Sequence, residues 1–518
     1  MAGICLRNLL AFSITVIAIS AAFVGQLTAQ KKSRSFVSDE VLVKFKSGKS
    51  TNAKKSSIGK FKASVAEELG NGGWTRVKLR KGQTVEDAMK SFRVADDFEA
   101  VQPNYYYYLQ STPNDALWGN LYGMVKISAP AAWDIRTDCS SVVVADIDTG
   151  LDYTHEDLAA NSWTNSGEIA GNGIDDDGNG FVDDVHGYDF RYNDPDPMDE
   201  HGHGTHTAGT IGAIGNNSIG VVGVCWNVKI MGIKIYSEAA DDTTTAMLIN
   251  AYNYVTLMKN RGVNIKVTNN SYGGCPETCG DDPALRNALD AMGEAGILNV
   301  FAAGNSSTNN DVAPFFPASY DSPHILSVGG SGQSDERIFN YGAKTVDLAA
   351  PGAQIWSTIP MYNPNHYAHL SGTSMSAPHV AGAAALLAAQ YPTFSVASLK
   401  ATLINTADVL PAFTGMNRAN GRLNVAAALL NPTVCTFSLA SNSLRPPTKG
   451  GVFTVNVAAG KNCDFAAKSN AIWLQVLDGQ SFTGNSTVLF RVTVNAAITR
   501  TATLSIGGQD FTVTQSRR

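Results

Sequence analysis

Between residues 112 and 431, short β-branched runs alternate with Ala- and Gly-rich stretches, and this alternation limits the fold more than any other feature. Ser141–Ile147, Val228–Ile235, Lys266–Ser271 and Ile297–Ala303 read as strands. Thr205–Gly215, Thr243–Asn260, Ser374–Ala389 and Val425–Leu430 read as helices. Strands that are apolar on both faces have to be covered on both faces. The expected body is therefore α/β, a parallel sheet with helices on both sides.

Segments of different character flank this region. Within 30–111, Val41–Phe45 and Trp74–Leu79 carry strand patterns, and Phe98–Leu109 is a last extended stretch. Thr84 is placed to cap a helix over Val85–Phe92, with Glu86 and Asp87 in its first turn. A small α+β unit is expected there. Residues 432–518 hold the period-2 runs Val452–Val457, Thr487–Val494, Thr501–Ile506 and Phe511–Thr514 and no helical pattern, which predicts an all-β sandwich. Residues 1–29 place Arg7 before the apolar run Leu9–Gly25 and a short polar stretch, the layout of a secretory signal peptide. An uncleaved anchor is the competing reading, because a run of about 17 residues is close to the spanning minimum. Leu27 also stands where a small residue is usual before a cut after Ala29.

Of the seven Cys, Cys5 falls in the leader, and the other six in an exported chain favour disulfides. Spacing suggests the local pairs Cys275 with Cys279 and Cys435 with Cys463, which leaves Cys139 for Cys225. No Cys-x-x-Cys pair or matched His pair supports zinc. A net charge of −6 without a basic block argues against nucleic acid as a partner.

Three segments carry chemistry. Val142–Gly150 is an apolar strand ending in Asp148 and a Gly turn, which puts a carboxylate at the carboxyl edge of the sheet. His203-Gly204-Thr205-His206 leads into a helix. Ser371-Gly372-Thr373-Ser374 starts another, so backbone N–H groups and the positive end of the helix dipole lie at a serine. A serine hydroxyl needs a base within hydrogen-bond reach, and the base needs an orienting acid. Asn305, in Ala302-Ala303-Gly304-Asn305, offers an amide donor for a developing oxyanion.

These motifs, in this order and context, resemble those of the subtilase family of subtilisin-like serine peptidases, over roughly Pro113 to Leu430. The resemblance implies Asp148 as orienting acid, His203 as base, Ser374 as nucleophile and Asn305 in the oxyanion hole. It also implies an endopeptidase acting on protein and peptide substrates, with Ser271, Tyr272 and Gly273 pairing with the substrate backbone. Ala302, Ala303 and Gly304 form the other wall of the primary pocket, small enough to leave room for a large apolar side chain. His206 and His379 read as structural. Asp146 departs from the family pattern, which has an apolar residue there; Asp148 is preferred as the acid because Thr149-Gly150 follows it. Residues 30–111 resemble the ferredoxin-like inhibitory propeptide, to be cut near Leu109–Thr112. Residues 432–518 resemble the BACON-type sandwich, on the strength of Cys435, Cys463, Trp473, Arg500 and Phe511–Gln515, with glycan or glycoprotein contact implied. The expected product is a secreted or cell-surface monomer. A secreted binding protein with an inactive peptidase domain and an esterase are the competing functions.

Calcium is expected too. Asp175, Asp177, Asn179 and Asp183 occupy positions 1, 3, 5 and 9 of an EF-hand-like loop with Gly180 at position 6, although His186 stands where the bidentate Glu belongs. By resemblance, Asp157 and Asn217 with the carbonyls of Ile219 and Val221 form a second site, and Asp189, Asp194 and Asp196 a third.

Overall fold

The computed structural model describes residues 36–105 and 112–517, apart from 47, 241, 275–279, 281 and 480. The expected leader, the propeptide cut and the Cys275 and Cys279 pair lie outside the described residues. No helix among the described residues is long and apolar enough to cross a membrane. The chain divides into two compact units, Met1–Leu109 and Gln110–Arg518.

The first unit runs strand, helix, strand, strand, helix, strand. Its four-stranded sheet has the order Ser64–Leu69, Trp74–Lys78, Phe36–Phe45, Phe98–Tyr105, and its pairings are antiparallel. This is the ferredoxin-like arrangement. Thr84 caps the helix Val85–Arg93 by accepting from the Asp87 backbone N–H, as its sequence predicts. Val41, Val43, Ile58, Val77 and Phe92 are fully buried between sheet and helices. The helix Thr51–Gly59 was not expected. Its sequence, TNAKKSSIG, has almost no apolar periodicity, and Ser57 and Ile58 are its buried residues.

The second unit is built on a nine-stranded sheet. From one edge its order is Asp408–Val409, Gly421–Arg422, Leu348–Pro351, Ile325–Ser331, Leu298–Ala302, Ile265–Asn270, Val143–Asp148, Lys229–Lys234 and Gly187–Asp189. All pairings are parallel except that of the first, short edge strand. Alternate side chains of Val143–Asp148 enter opposite cores. Val144 packs with the helix Thr373–Gln390, and Val143, Ala145 and Ile147 with the helices Thr245–Asn260 and Pro283–Glu294. The helix Thr373–Gln390 is buried almost all round, which its Ala-rich composition permits. At Gly382 an added Cβ would stand 2.9 Å from the Ile211 carbonyl oxygen, so glycine lets this helix lie against His203–Gly212.

Beyond Leu430, two sheets enclose Val455, Phe465, Phe490, Leu504 and Phe511, forming the expected sandwich. Disulfides join Cys139 to Cys225 and Cys435 to Cys463, as the spacing suggested. The sandwich is fused electrostatically to the α/β body. Arg418 donates to both oxygens of Asp464, at 2.8 and 2.6 Å, and Lys400 lies 2.9 Å from the same carboxylate. Asp347 pairs with Arg418 at 3.3 Å and with Lys400 at 3.5 Å. Burial alone would raise the Asp464 carboxyl, but Lys400 and Arg418 hold it well below the usual carboxylate range. Its contribution to stability is therefore present above the unfolded carboxylate value of about 3.9 and is lost as pH falls through the depressed folded value.

Removing one member of a buried network strands the others, which typically costs about 3 kcal/mol. Asp464→Asn, made in a Ser374→Ala background, is expected to lower unfolding stability by about that amount in urea titrations. Lys468→Ala, which breaks the exposed pair with Glu294, is expected to cost less than about 1 kcal/mol.

Candidate active site

Asp148 is the last residue of its strand and is 1% exposed. Its Oδ1 accepts from the Thr149 backbone N–H at 2.8 Å and from His203 Nδ1 at 2.6 Å. With the Nδ1 proton committed to Asp148, His203 Nε2 is free to act as a base. Burial pushes the imidazole pKa down. The charge and hydrogen bond of Asp148 overcome this, with help from the Asp199 charge, and the net shift is upward.

His203 opens the helix His203–Gly212, and that end of the helix is held by a residue the sequence reading did not single out. Asp199, 1% exposed, takes five hydrogen bonds. Oδ1 accepts from Thr149 Oγ1, the His201 N–H and the Gly202 N–H at 2.9, 2.9 and 2.8 Å. Oδ2 accepts from the Thr205 N–H and Oγ1 at 2.8 and 2.7 Å. A carboxylate at a helix N-terminus is stabilised by the orphan N–H groups and the dipole. Its sequence signal was an acid four residues before the histidine.

Ser374 is the second residue of Thr373–Gln390. Pro378, four residues on, has no N–H to bond the Ser374 carbonyl. Ser271 Oγ donates to that carbonyl at 2.9 Å, and Ser374 Oγ donates to the Ser271 carbonyl at 3.0 Å. This reciprocal pair locks the serine helix to the end of Ile265–Asn270. Asn305 Oδ1 accepts from the Thr373 N–H at 2.8 Å and from Thr373 Oγ1 at 3.0 Å, which leaves its Nδ2 available as a donor beside Ser374. Thr373 Oγ1 also accepts from the Gly304 N–H at 3.0 Å.

Asp146 shares its strand face with Asp148 and is 1% exposed. Asn269 Nδ2 donates to its Oδ1 at 2.8 Å. Thr207 Oγ1 lies 2.8 Å from its Oδ2 and 2.9 Å from the Gly204 carbonyl oxygen. Thr207 has one proton for two acceptors. A protonated Asp146 resolves the conflict, donating to Thr207 while Thr207 donates to Gly204. Burial and the nearby Asp148 charge push the Asp146 carboxyl well up, in agreement. His206 and His379 are buried and structural, as expected. His206 Nε2 lies 2.9 Å from the Ile355 carbonyl and His379 Nδ1 lies 2.8 Å from that of Met375. Burial lowers their pKa values to about 3 and about 4.

Of the expected substrate-wall residues, Tyr272, Ala302 and Ala303 are buried. A further side chain, Phe315, reaches both walls: a Cβ on Gly273 would meet its Cε1 at 2.4 Å, and one on Gly304 its Cδ2 at 2.9 Å.

The calcium candidates assemble unevenly. Glu168, Asp175 and Asp177 converge, with ligand oxygens within 4.8 Å of one another. Asp183 does not join them, because its carboxylate accepts from the N–H groups of Asn172 and Gly173 at 3.1 and 2.9 Å. Asn179 Oδ1 caps the Phe181 N–H at 2.7 Å. Glu168, not expected from the loop register, accepts from the Asp177 and Asp183 N–H groups at 3.0 Å each. In the second candidate, Asn217 Nδ2 donates to Asp157 at 2.7 Å, and the Val221 N–H donates to the same carboxylate at 2.9 Å. Burial pushes the Asp157 carboxyl up to about 7, and Asp115 adds to the shift. Asp115 was missed by the sequence reading; its Oδ1 is buried with no hydrogen-bond partner. The third set does not converge among the described residues. Asp189 pairs with the buried amine of Lys234 at 3.4 Å, and Asp194 and Asp196 cap the N–H groups of Asp196 and Met198.

Comparison with known proteins agrees with this geometry. The Subtilase family matches residues 140–456, and the Fervidolysin N-terminal prodomain matches residues 23–104. Thermitase of Thermoactinomyces vulgaris is 36% identical over 320 residues, 61% of this chain and 99% of the relative. Subtilisin E of Bacillus subtilis is 30% identical over 426 residues, 81% of this chain and 97% of the relative. A solved protease structure from Pseudoalteromonas arctica superposes with a TM-score of 0.51 at 27% identity, covering 62% of this chain and 99% of that one. The resemblance of the C-terminal sandwich to the BACON type is not confirmed by these matches.

If Asp146 is neutral, the isosteric Asp146→Asn change leaves the charge around His203 unaltered. The acidic limb of the pH profile of kcat/KM is then expected above the free imidazole value of about 6.5, and at the same place in both proteins. A limb that moves to lower pH in Asp146→Asn would mean that an ionised Asp146 was raising His203.

Proposed function

The chain belongs to the subtilase family, and from that premise we propose that it is a secreted serine endopeptidase that matures by removing its own propeptide. The observation that carries this reading is the 2.6 Å bond between Asp148 and His203, in a chain whose Ser374 opens a helix that the Asn305 side chain caps. In the proposed reaction the Ser374 hydroxyl turns from the Ser271 carbonyl to His203 Nε2, which takes its proton as Oγ attacks the scissile carbonyl. Asp148 holds the ring and stabilises the imidazolium. The Ser374 N–H and Asn305 Nδ2 receive the oxyanion. His203 then protonates the leaving amine, and water releases the acyl group.

We further propose that residues 1–29 are removed as a signal peptide, that 30–111 form the inhibitory propeptide, that 112–431 form the peptidase body and that 432–518 remain attached to it. The prodomain match and the antiparallel first unit support the second of these. The two disulfides support export. The sandwich is read as a stabilising partner. One face of Trp473 is covered by the Arg500 guanidinium at 4.3 Å, which disfavours a sugar platform.

Calcium is proposed at two places: one with Asp115, Asp157, Asn217 and the carbonyls of Ile219 and Val221, the other with Glu168, Asp175 and Asp177. Hard oxygen donors, an orphaned buried carboxylate oxygen and converging acids fit that ion. Where Lys234 already neutralises Asp189, none is proposed.

Expression with calcium, followed by N-terminal sequencing and casein hydrolysis, tests the central reading. Wild type is expected to lose residues up to about 111 and to cut casein, and Ser374→Ala to do neither. Casein cleavage by a pure Ser374→Ala chain would place the nucleophile elsewhere. Asn305→Ala is expected to lower kcat about 10²- to 10³-fold with KM little changed. Calcium at a hundredfold excess over Kd is expected to add about 2.7 kcal/mol per site to the stability of the Ser374→Ala protein, lost on chelation, with the share of the first site removed by Asp115→Ala with Asp157→Ala.

A further inference from the structure

The two walls of the primary pocket are backbone segments ending in Gly273 and Gly304. A side chain entering between them would be bounded by two glycines, and the sequence alone leaves that slot open. In the structure the ring of Phe315 already spans it. Cε1 and Cδ2 are diagonally opposite ring atoms; the first lies against Gly273 and the second against Gly304. A Cβ at either glycine would collide with the ring, at 2.4 and 2.9 Å respectively, so the missing side chains of the walls are what admit it. Gly304, with φ of 105°, also has a backbone conformation suited to glycine.

The loop that carries the ring is pinned by hydrogen bonds. The Phe315 N–H donates to Ser319 Oγ at 3.0 Å, and the Ser319 N–H donates to the Phe315 carbonyl at 2.9 Å, closing a tight turn. The Gly274 N–H donates to the Phe316 carbonyl at 3.2 Å, tying that turn to the wall itself. Phe315 is half-buried and packs against the core that contains Tyr272 and Phe301. Swinging it out would expose an aromatic face and leave an apolar gap between the glycines.

We infer that Phe315 is the specificity-determining residue of the primary pocket, and that it restricts cleavage to peptides with a small side chain, such as Ala, Gly or Ser, on the acyl side of the scissile bond. This rests on the peptidase reading above and reverses the expectation of a deep apolar pocket. A small side chain needs only the mouth of the slot. A Phe or Leu would have to displace the Phe315 ring.

The test uses the mature, calcium-loaded enzyme and tetrapeptide p-nitroanilides that differ only in the last residue, Ala or Phe, with rates normalised to Ser374 labelled by a sulfonyl fluoride. Wild type is expected to favour Ala over Phe by about tenfold or more in kcat/KM. Phe315→Gly is expected to shift the ratio of kcat/KM for the Phe peptide to that for the Ala peptide about tenfold toward Phe. If Phe315→Gly does not fold, Phe315→Ala and the wild-type preference decide the matter. Wild-type cleavage after Phe equal to or better than after Ala overturns the slot assignment and leaves the peptidase standing. Failure of processed, unlabelled wild type, in a preparation whose Ser374 titrates with the sulfonyl fluoride, to cut any peptide in the series overturns the peptidase reading, and the assignment with it.

Discussion

Asp199 binds the turn after the Asp148 strand to the first residues of the His203 helix, and the geometry of the site follows from that junction. Thr149, His201, Gly202 and Thr205 all donate to it. A carboxylate this deeply buried is tolerable only when its oxygens are saturated with donors. Saturating it requires the strand end and the helix start to meet in one orientation. Once they do, Asp148 and His203 have little choice but to face each other. A bond of 2.6 Å between groups 55 residues apart in sequence is thus fixed by an acid that touches neither the nucleophile nor the substrate walls.

The serine is fixed by a different device. A proline inside a helix normally costs a hydrogen bond, and at Pro378 the carbonyl so released belongs to Ser374. Ser271 takes it, and the nucleophile's own hydroxyl rests on the Ser271 carbonyl in return. The nucleophile is therefore seated on the edge where a substrate backbone is proposed to lie. Asp146 shows the complementary constraint. A second charged acid under the histidine would leave Thr207 one proton short, and a neutral one supplies that proton.

The parts that were legible in the sequence are those encoded locally. Period and apolar runs predicted the strand ending at Asp148, the helix opening at the serine and the boundaries of Val425–Leu430. Thr84 announced its own cap. What escaped was set by long-range contact. Asp115 and Asp157 are far apart in sequence yet share one buried pocket of charge. Glu168 lies ahead of the acidic loop whose register was read without it, and Asp183 turns to the loop's own backbone. Phe315 sits in a loop with no motif to mark it, and only folding brings it between two glycines. The sandwich read correctly as a sandwich. Its fusion to the body did not show, because Arg418 and Asp464 belong to segments of unlike pattern.

That fusion has a consequence for the order in which the molecule comes into being. Lys400 and Arg418 are made before Asp464 and leave the ribosome first. Until the strand that carries Asp464 joins them, the two cations have Asp347 as their acid partner. The ion network therefore closes only when the strand that carries Asp464 has joined the body. The later segment thus completes the charge balance of the two earlier ones.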